Sequence, residues 1–356
     1  MAYSSLSLKN FRSYVDYFVD FSPGVNIVVG QNGSGKTNLL EAVYVLSYGS
    51  SFRVSDKEMV KNDAQWFRVD GVYDEQRRIL TYKQEGKPAK QFTLDGVKNQ
   101  RLMYAQRVPL VLFEPNELRL LNGSPQRRRD YLDVLIGRLW PAAGRCKGQF
   151  ERALLQRNNM LKQAAEYSSK TLDDQFFVWD IKLAEYAQAV VQNRLKVVDI
   201  WNGQLSELYS SLAGTNYSVK VDYKTDILAQ DYKQQFIAKL NESRQKDIYR
   251  GYTSVGPHRD DYTVILNGSD AAVSASRGEV RCLVLAIKMI ELNLLKDLSE
   301  RKPILLMDDV FSELDASRRQ ALAKLAKDYQ TIITTTDADH VTSHFAGEYK
   351  VIKSGD

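Results

Sequence analysis

Residues Gly30-Gln31-Asn32-Gly33-Ser34-Gly35-Lys36-Thr37 constrain this chain of 356 residues more than any other stretch. They fit G-x-x-x-x-G-K-[ST] in full, with an apolar strand pattern, Val25 to Val29, entering and a helical pattern from Asn38 leaving. Glycines let the backbone curl so that successive N–H groups face an anion, and the following helix adds the partial positive charge of its N-terminus. Lys36 has the reach for β- and γ-phosphates, and the Thr37 hydroxyl suits magnesium. Strand, phosphate loop and helix together demand an α/β fold with a parallel sheet.

The other half of such a site must be an acid at the end of a second buried strand. Ile304 to Met307 is that strand, and Asp308 ends it. Asp309 follows, where a carboxylate can accept a proton from an attacking water. The expected ligands are therefore ATP and Mg2+. ATP is held by Gly30, Gln31, Asn32, Gly33, Ser34, Gly35, Lys36 and Thr37, and the metal by Thr37 and Asp308. Lys36, Asp308 and Asp309 are the expected catalytic set.

Composition excludes other classes. An apolar fraction of 44% and a charged fraction of 26% are those of a globular protein rather than a disordered or collagenous one. No apolar run approaches the length needed to span a bilayer, and the first residues lack a basic start with an apolar core, so a cytoplasmic, non-membrane protein is expected. Cys146 and Cys282 have no metal-type spacing, which suits a reducing compartment. Net charge is a mild +5, but residues 119–152 carry eight basic side chains against three acidic ones. Arg127, Arg128 and Arg129 lie there and are DNA-binding candidates, beside the plainer reading of a solvated helix start.

Strand patterns with turn signals fill the first third. Helical spacing runs from Pro125 to about Leu212, and strand–helix–strand–helix order closes the chain. The expected segments are a first part of the nucleotide-binding head at 1–115, a helical lobe at 116–215, and the second part of the head at 216–356.

Two further segments narrow the class. Ser276-Arg277-Gly278-Glu279 opens a long helix, and Ser312-Glu313-Leu314-Asp315 follows the Asp308-Asp309 pair. They look like the signature and D-loop of ABC-type ATPases. Other segments match from end to end: Leu8 to Tyr14, Gly49 to Arg53, Phe113 to Leu118, Ser124 to Arg129, Gln156 to Asn158, Val255 to Asp261, Leu306 to Asp315 and Thr334 to Asp337. On these the chain resembles the RecF family, SMC-like recombination mediators of bacteria. It departs at Arg277 and Val280, where the family signature usually carries glutamine.

The resemblance implies an α/β ABC/SMC-type P-loop ATPase head with an inserted helical lobe. It implies a homodimer formed with ATP, in which Ser276, Gly278 and Asp315 of one head meet the nucleotide of the other. It also implies action in DNA replication and recombinational repair on gapped DNA with single-strand/duplex junctions. Slow ATP hydrolysis, RecO- and RecR-like partners and recombinase loading go with that role. His258 falls in a matched segment, and a hydrogen-bonded structural histidine is as good a reading as a functional one. His340 and His344 read as surface. A small-molecule phosphotransferase built on the same loop is the reading from another class; it would need an acceptor pocket and would have no use for Ser276 or Ser312 to Asp315.

Overall fold

The computed structural model describes residues 1–114, 117, 119–166, 170–227, 230–345 and 349–354. Pro115, Asn116 and Leu118 of the Phe113–Leu118 motif lie outside the described residues, as do the side chains of Glu313 and His340.

The first strands are β1 (Tyr3–Phe11), β2 (Tyr14–Asp20) and β3 (Val25–Val29), followed by α1 (Lys36–Tyr48). Next come β4 (Trp66–Tyr73), β5 (Gln76–Lys83), β6 (Ala89–Leu94), β7 (Val97–Asn99) and β8 (Leu110–Phe113). The helical stretch is α2 (Arg119–Asn122), α3 (Pro125–Leu139), α4 (Pro141–Glu166) and α5 (Lys170–Ala213). Then follow β9 (Val219–Lys224), α6 (Tyr232–Arg250), β10 (Asp261–Leu266), β11 (Ser269–Asp270), α7 (Ala271–Ser274) and α8 (Arg277–Leu298). The chain closes with β12 (Ile304–Asp308), α9 (Ala316–Ala326), β13 (Thr331–Thr335), α10 (Ala338–Thr342) and β14 (Tyr349–Lys353).

Two compact units emerge, one of residues 1–117 with 291–356, the other of residues 118–290. Strand β9 pairs with β10 and packs on α5, which keeps residues 216–290 with the helices.

In the first unit β14, β3, β13, β12 and β8 form a parallel sheet in that order. Parallel strands buried on both faces read as unbroken apolar runs, as in Val-Asn-Ile-Val-Val and Ile-Leu-Leu-Met. An antiparallel sheet, β2-β1-β4-β5-β6-β7, alternates buried and outward residues. Helix α1 touches β1, β4 and β5 of one sheet and β12 and β13 of the other. It is accordingly buried on nearly every side, which its sequence, Leu-Leu-Glu-Ala-Val-Tyr-Val-Leu, permits. Each fully buried Leu or Val contributes roughly 1.5–3 kcal/mol to holding it there. Buried Arg78 donates to the carbonyls of Leu46 near the end of α1 (3.1 Å) and of Gln106 (2.7 Å).

In the second unit α4, α5 and α6 pack around Phe150, Leu183, Ala187, Val191, Phe236 and Leu240. Trp201 is fully buried against Tyr262 of β10. Helices α4 and α5, of 26 and 44 residues, account for the long helical spacing. Both cysteines are free thiols. Among the described residues no helix is long and apolar enough to cross a membrane.

Candidate nucleotide-binding site

The parallel register sets the C-terminal ends of β3, β13 and β12 side by side: Val29 opposite Thr335, and Thr334 opposite Asp308. In open α/β sheets this edge is where ligands sit. The loop 30–35 leaves β3 there and turns into α1.

The loop's shape follows from its glycines. Gly35 has φ 93°, in the left-handed region, and a Cβ would stand 2.8 Å from Ser13 Oγ and 3.0 Å from the Tyr14 ring. Gly35 also occupies the N-cap of α1, where it offers no side chain to the helix, and the first turn holds no acid. The first N–H groups of α1 are thus left for an external anion.

Lys36 is buried and donates to the carbonyls of Gly30 (2.6 Å) and Gln31 (2.8 Å). Burial lowers its pKa, and the charges of Asp309 and Asp308 oppose that shift. The ammonium is therefore held inside the loop, within electrostatic reach of two carboxylates.

Thr37 and Asp308, 271 residues apart in the chain, meet at 2.9 Å through Thr37 Oγ1 donating to Asp308 Oδ1. Thr334 Oγ1 donates to the same oxygen at 2.7 Å and accepts from the Asp309 N–H at 3.0 Å. The Asp309 N–H also reaches the Thr334 carbonyl at 3.2 Å. Asp309 itself has φ 50°, and its Oδ1 is buried without a hydrogen-bond partner. A buried carboxylate oxygen left open beside a phosphate loop fits a site that expects a donor such as water. Thr37 and Asp308 supply hard oxygens of the kind magnesium takes at a phosphate site, where one or two protein ligands suffice. Among the described residues no group of three or more His, Cys, Asp or Glu could hold a metal alone.

The supports of the loop escaped sequence reasoning. Tyr14 OH donates to the Gly35 carbonyl (3.1 Å), Asn38 Nδ2 to Ser13 Oγ (2.8 Å), and Ser34 and Ser354 share a hydrogen bond of 2.6 Å. Fully buried Glu41 of α1 gathers Arg12 (3.0 Å), Arg53 (2.9 Å) and the Ser51 hydroxyl. The Gly49–Arg53 and Leu8–Tyr14 segments were legible as motifs; their convergence on one glutamate was not.

The remaining candidates make contacts of their own. Ser276 is exposed and caps α8: its Oγ accepts from the Glu279 N–H (3.3 Å), while Glu279 Oε2 accepts from the Ser276 N–H (2.8 Å). This is a capping box. Gly278 lies in its first turn. Asp315 caps α9, accepting from the Arg318 N–H (3.0 Å) and pairing with the Arg318 guanidinium (2.6 Å). The Arg318 N–H, then the Ser317 hydroxyl and the arginine charges, hold its carboxyl below the usual range against a small cost of burial.

The arginine cluster at the start of α3 is engaged within the chain. Arg128 binds Asp261 with two hydrogen bonds (2.7 and 2.5 Å) and donates to the carbonyls of Leu121 and Gly123. Arg129 donates to the Asp260 carbonyl (2.7 Å) and to Gln126 (2.8 Å). The Arg127 N–H closes onto the N-cap Ser124 (3.4 Å). Arg128 and Arg129 thus hold the Val255–Asp261 segment. His258 in that segment sits 3.0 Å from the Thr253 carbonyl. A carbonyl only accepts, so Nε2 carries the proton and Nδ1, buried without a partner, does not.

The RecF/RecN/SMC N-terminal domain model matches residues 3–354. The DNA replication and repair protein RecF of Streptococcus uberis is 34% identical over 350 residues, covering 94% of this chain and 93% of that protein. The protein of the same name from Ruminiclostridium cellulolyticum is 33% identical over 353 residues, covering 96% and 94%. A solved structure of the recombination mediator RecF with ATP, in the RecFOR pathway, superposes with a TM-score of 0.86 at 30% identity, covering 94% of this chain and 92% of that one. An SMC head bound to the C-terminal winged-helix domain of ScpA shares the fold at a TM-score of 0.55 and 17% identity, covering 97% and 92%. With the phosphate loop, its paired aspartates and this likeness along nearly the whole length, the chain belongs to the RecF family of DNA replication and repair proteins.

Proposed function

We propose that the chain is an ATP-gated DNA-binding switch of recombinational repair. The observation that carries the reading is the meeting of Thr37 with Asp308 beside Lys36, with the open Asp309 carboxylate next to them. The loop and the start of α1 bind the triphosphate, and Lys36 exchanges its two carbonyls for phosphate oxygens. Thr37 and Asp308 would hold magnesium, which would supply positive charge to the triphosphate. Asp309 positions and deprotonates the attacking water, and slow hydrolysis resets the switch.

The partner copy's Ser276, Gly278 and Asp315 complete the γ-phosphate site across a homodimer. The exposed hydroxyl of Ser276 at the start of a 22-residue helix supports this role. The dimer binds gapped DNA in the cytoplasm and works with RecO- and RecR-like proteins to load recombinase, as the RecFOR pathway named for its relative suggests.

Fluorescent-ATP binding and phosphate release test the site. Lys36→Ala is expected to lose nucleotide binding. Asp309→Asn, which tolerates the left-handed backbone as aspartate does, is expected to bind as the parent does and to lose turnover by at least about 100-fold. Full turnover in Asp309→Asn would sink the assignment.

A further inference from the structure

We propose that the C-terminal end of α6, with the loop after it, is a stacking platform for single-stranded nucleic acid. The inference deepens the DNA-binding reading above and places the contact away from Arg128 and Arg129, whose guanidinium groups hold the chain's own Asp261 and the Asp260 carbonyl.

Tyr249 is 91% exposed, which no packing role explains. Lys246, Tyr249 and Arg250 stand at i, i+3 and i+4 and so share one face of α6, and all three are exposed. Arg250 alone would be an ordinary cation at a helix C-terminus. Two more cations reach the same place from other elements. The stem of Lys162 on α4 passes 3.4 Å from where a Gly251 Cβ would be, and the Arg259 guanidinium lies 5.2 Å from the ring centre of Tyr252, itself 40% exposed.

Among the described residues, the last turn of α6, from Asp247 to Arg250, exposes no carboxylate. Asp247, the carboxylate inside this turn, is fully buried and accepts from Arg157 (3.1 Å), Ser243 (3.0 Å) and the Ser254 N–H (3.1 Å). The exposed Glu242 stands one turn further back. Gly251, at φ 72°, donates to the carbonyls of both Asp247 (2.8 Å) and Ile248 (3.2 Å), which quiets the negative end of the helix.

The loop is also held rigid. The Thr253 N–H and hydroxyl both reach Asn158 Oδ1 at 2.8 Å, Arg157 donates to Thr253 Oγ1 at 2.8 Å, and His258 donates to the Thr253 carbonyl. Cations that track a backbone, beside open aromatic faces on a fixed frame, are the chemistry of single-strand binding. Paired bases keep their faces covered, so a duplex would use the cations and leave the rings idle.

The test uses the full chain and a labelled thirty-nucleotide oligo-dT, beside a blunt duplex of equal length, titrated at several salt concentrations with and without ATP. Tyr249→Ala is expected to weaken oligo-dT about 5- to 150-fold, the range for one lost base stack, and to leave the duplex within about twofold. Tyr249→Phe is expected to keep parental affinity. Lys246→Gln and Arg250→Gln should each flatten the salt slope by about 0.7 on the single strand. Oligo-dT affinity unchanged in Tyr249→Ala overturns the proposal, as does an equal loss on the duplex; a docking face for an acidic protein would give the first of these results. Fluorescent-ATP binding is measured on the same samples. Loss of ATP binding in the parent sinks the switch reading alone, whereas intact ATP binding with unchanged oligo-dT affinity sinks the platform alone.

Discussion

Asp309 holds a buried carboxylate oxygen without a partner, and one hydroxyl keeps it there. Thr334 spends its proton on Asp308 and a lone pair on the Asp309 N–H. Thr334→Val conserves shape and removes both contacts, while Asp309 keeps its longer bond to the Thr334 carbonyl and Asp308 keeps Thr37. The expected cost is about 1–2 kcal/mol in urea unfolding, with ATP turnover about tenfold lower and nucleotide binding near parental. Turnover unchanged in that variant would make Thr334 a packing residue only. His258 gives a prediction in pH. Burial, chiefly, lowers its pKa to about 4, against about 6.5 unfolded, with neighbouring arginines adding to the fall and the Thr253 bond opposing it. The unfolded chain therefore binds the extra proton, and stability falls as pH drops from about 6.5 towards 4, by at most about 3 kcal/mol and less to the extent that the half-buried ring meets water. His258→Asn, whose amide can still donate to the Thr253 carbonyl, should remove that part of the slope between urea midpoints at pH 7 and pH 5; a slope identical to the parent's would show that the ring does not titrate as argued. Lys36, Thr37, Asp308 and Asp309 were legible because each follows a strand and must sit at the same sheet edge. Thr334, Glu41 and Ser354 were not, since nothing local says that a threonine on one strand will clasp the acid of the next.

At the scale of elements, strand β3 follows its apolar run to the residue, because it is central in the parallel sheet and buried. The edge strands β8 and β14 escaped the reading. Four buried residues in β8 carry too little pattern, and β14 is exposed at four of its five positions. The buried ion pairs of the second unit, Arg157 with Asp180 and Asp247, and Arg194 with Asp133, likewise look like solvated charges in sequence. They tie α4 to α5 and α6, and α5 to α3, and Arg194 also donates to the Pro257 carbonyl; the arginine of the Gln156 to Asn158 motif is wholly inside. Helix α8 offers the sharpest test at this scale, because its capping residue has two claims on it. If Ser276 only caps, Ser276→Asp should leave both stability and dimerisation untouched, aspartate being an equal N-cap. If the hydroxyl also meets a phosphate of the opposite copy, the added charge repels it. We expect unfolding within about 0.5 kcal/mol of the parent and loss of ATP-dependent dimers in sedimentation. Ser276→Ala cannot separate the two, since losing the cap alone costs about 0.5–2 kcal/mol.

For the whole molecule the question is how much work one nucleotide must do. Turning a population from one part in a hundred dimeric to ninety-nine requires a preference of about 10⁴ for the closed form, about 5.5 kcal/mol. Binding within one copy contributes nothing to that preference, because a ligand held equally well in both states shifts neither. The preference must come from contacts that exist only when two copies meet, and on the proposed reading those are Ser276, Gly278 and Asp315 against the γ-phosphate. ADP lacks that group, so it should fill the Lys36 loop and leave the protein monomeric. Asp309→Asn retains ATP unhydrolysed and should accumulate dimers that outlast those of the parent. DNA adds a second preference when the paired surface offers more cations than one copy does, and this part weakens steeply with salt. Light scattering on Asp309→Asn is then expected to give twice the monomer mass with ATP, monomer with ADP, and a midpoint moved to lower protein concentration when gapped DNA is present. A rise in mass with ADP equal to that with ATP would place the switch somewhere other than the γ-phosphate, whatever the Lys36 loop binds.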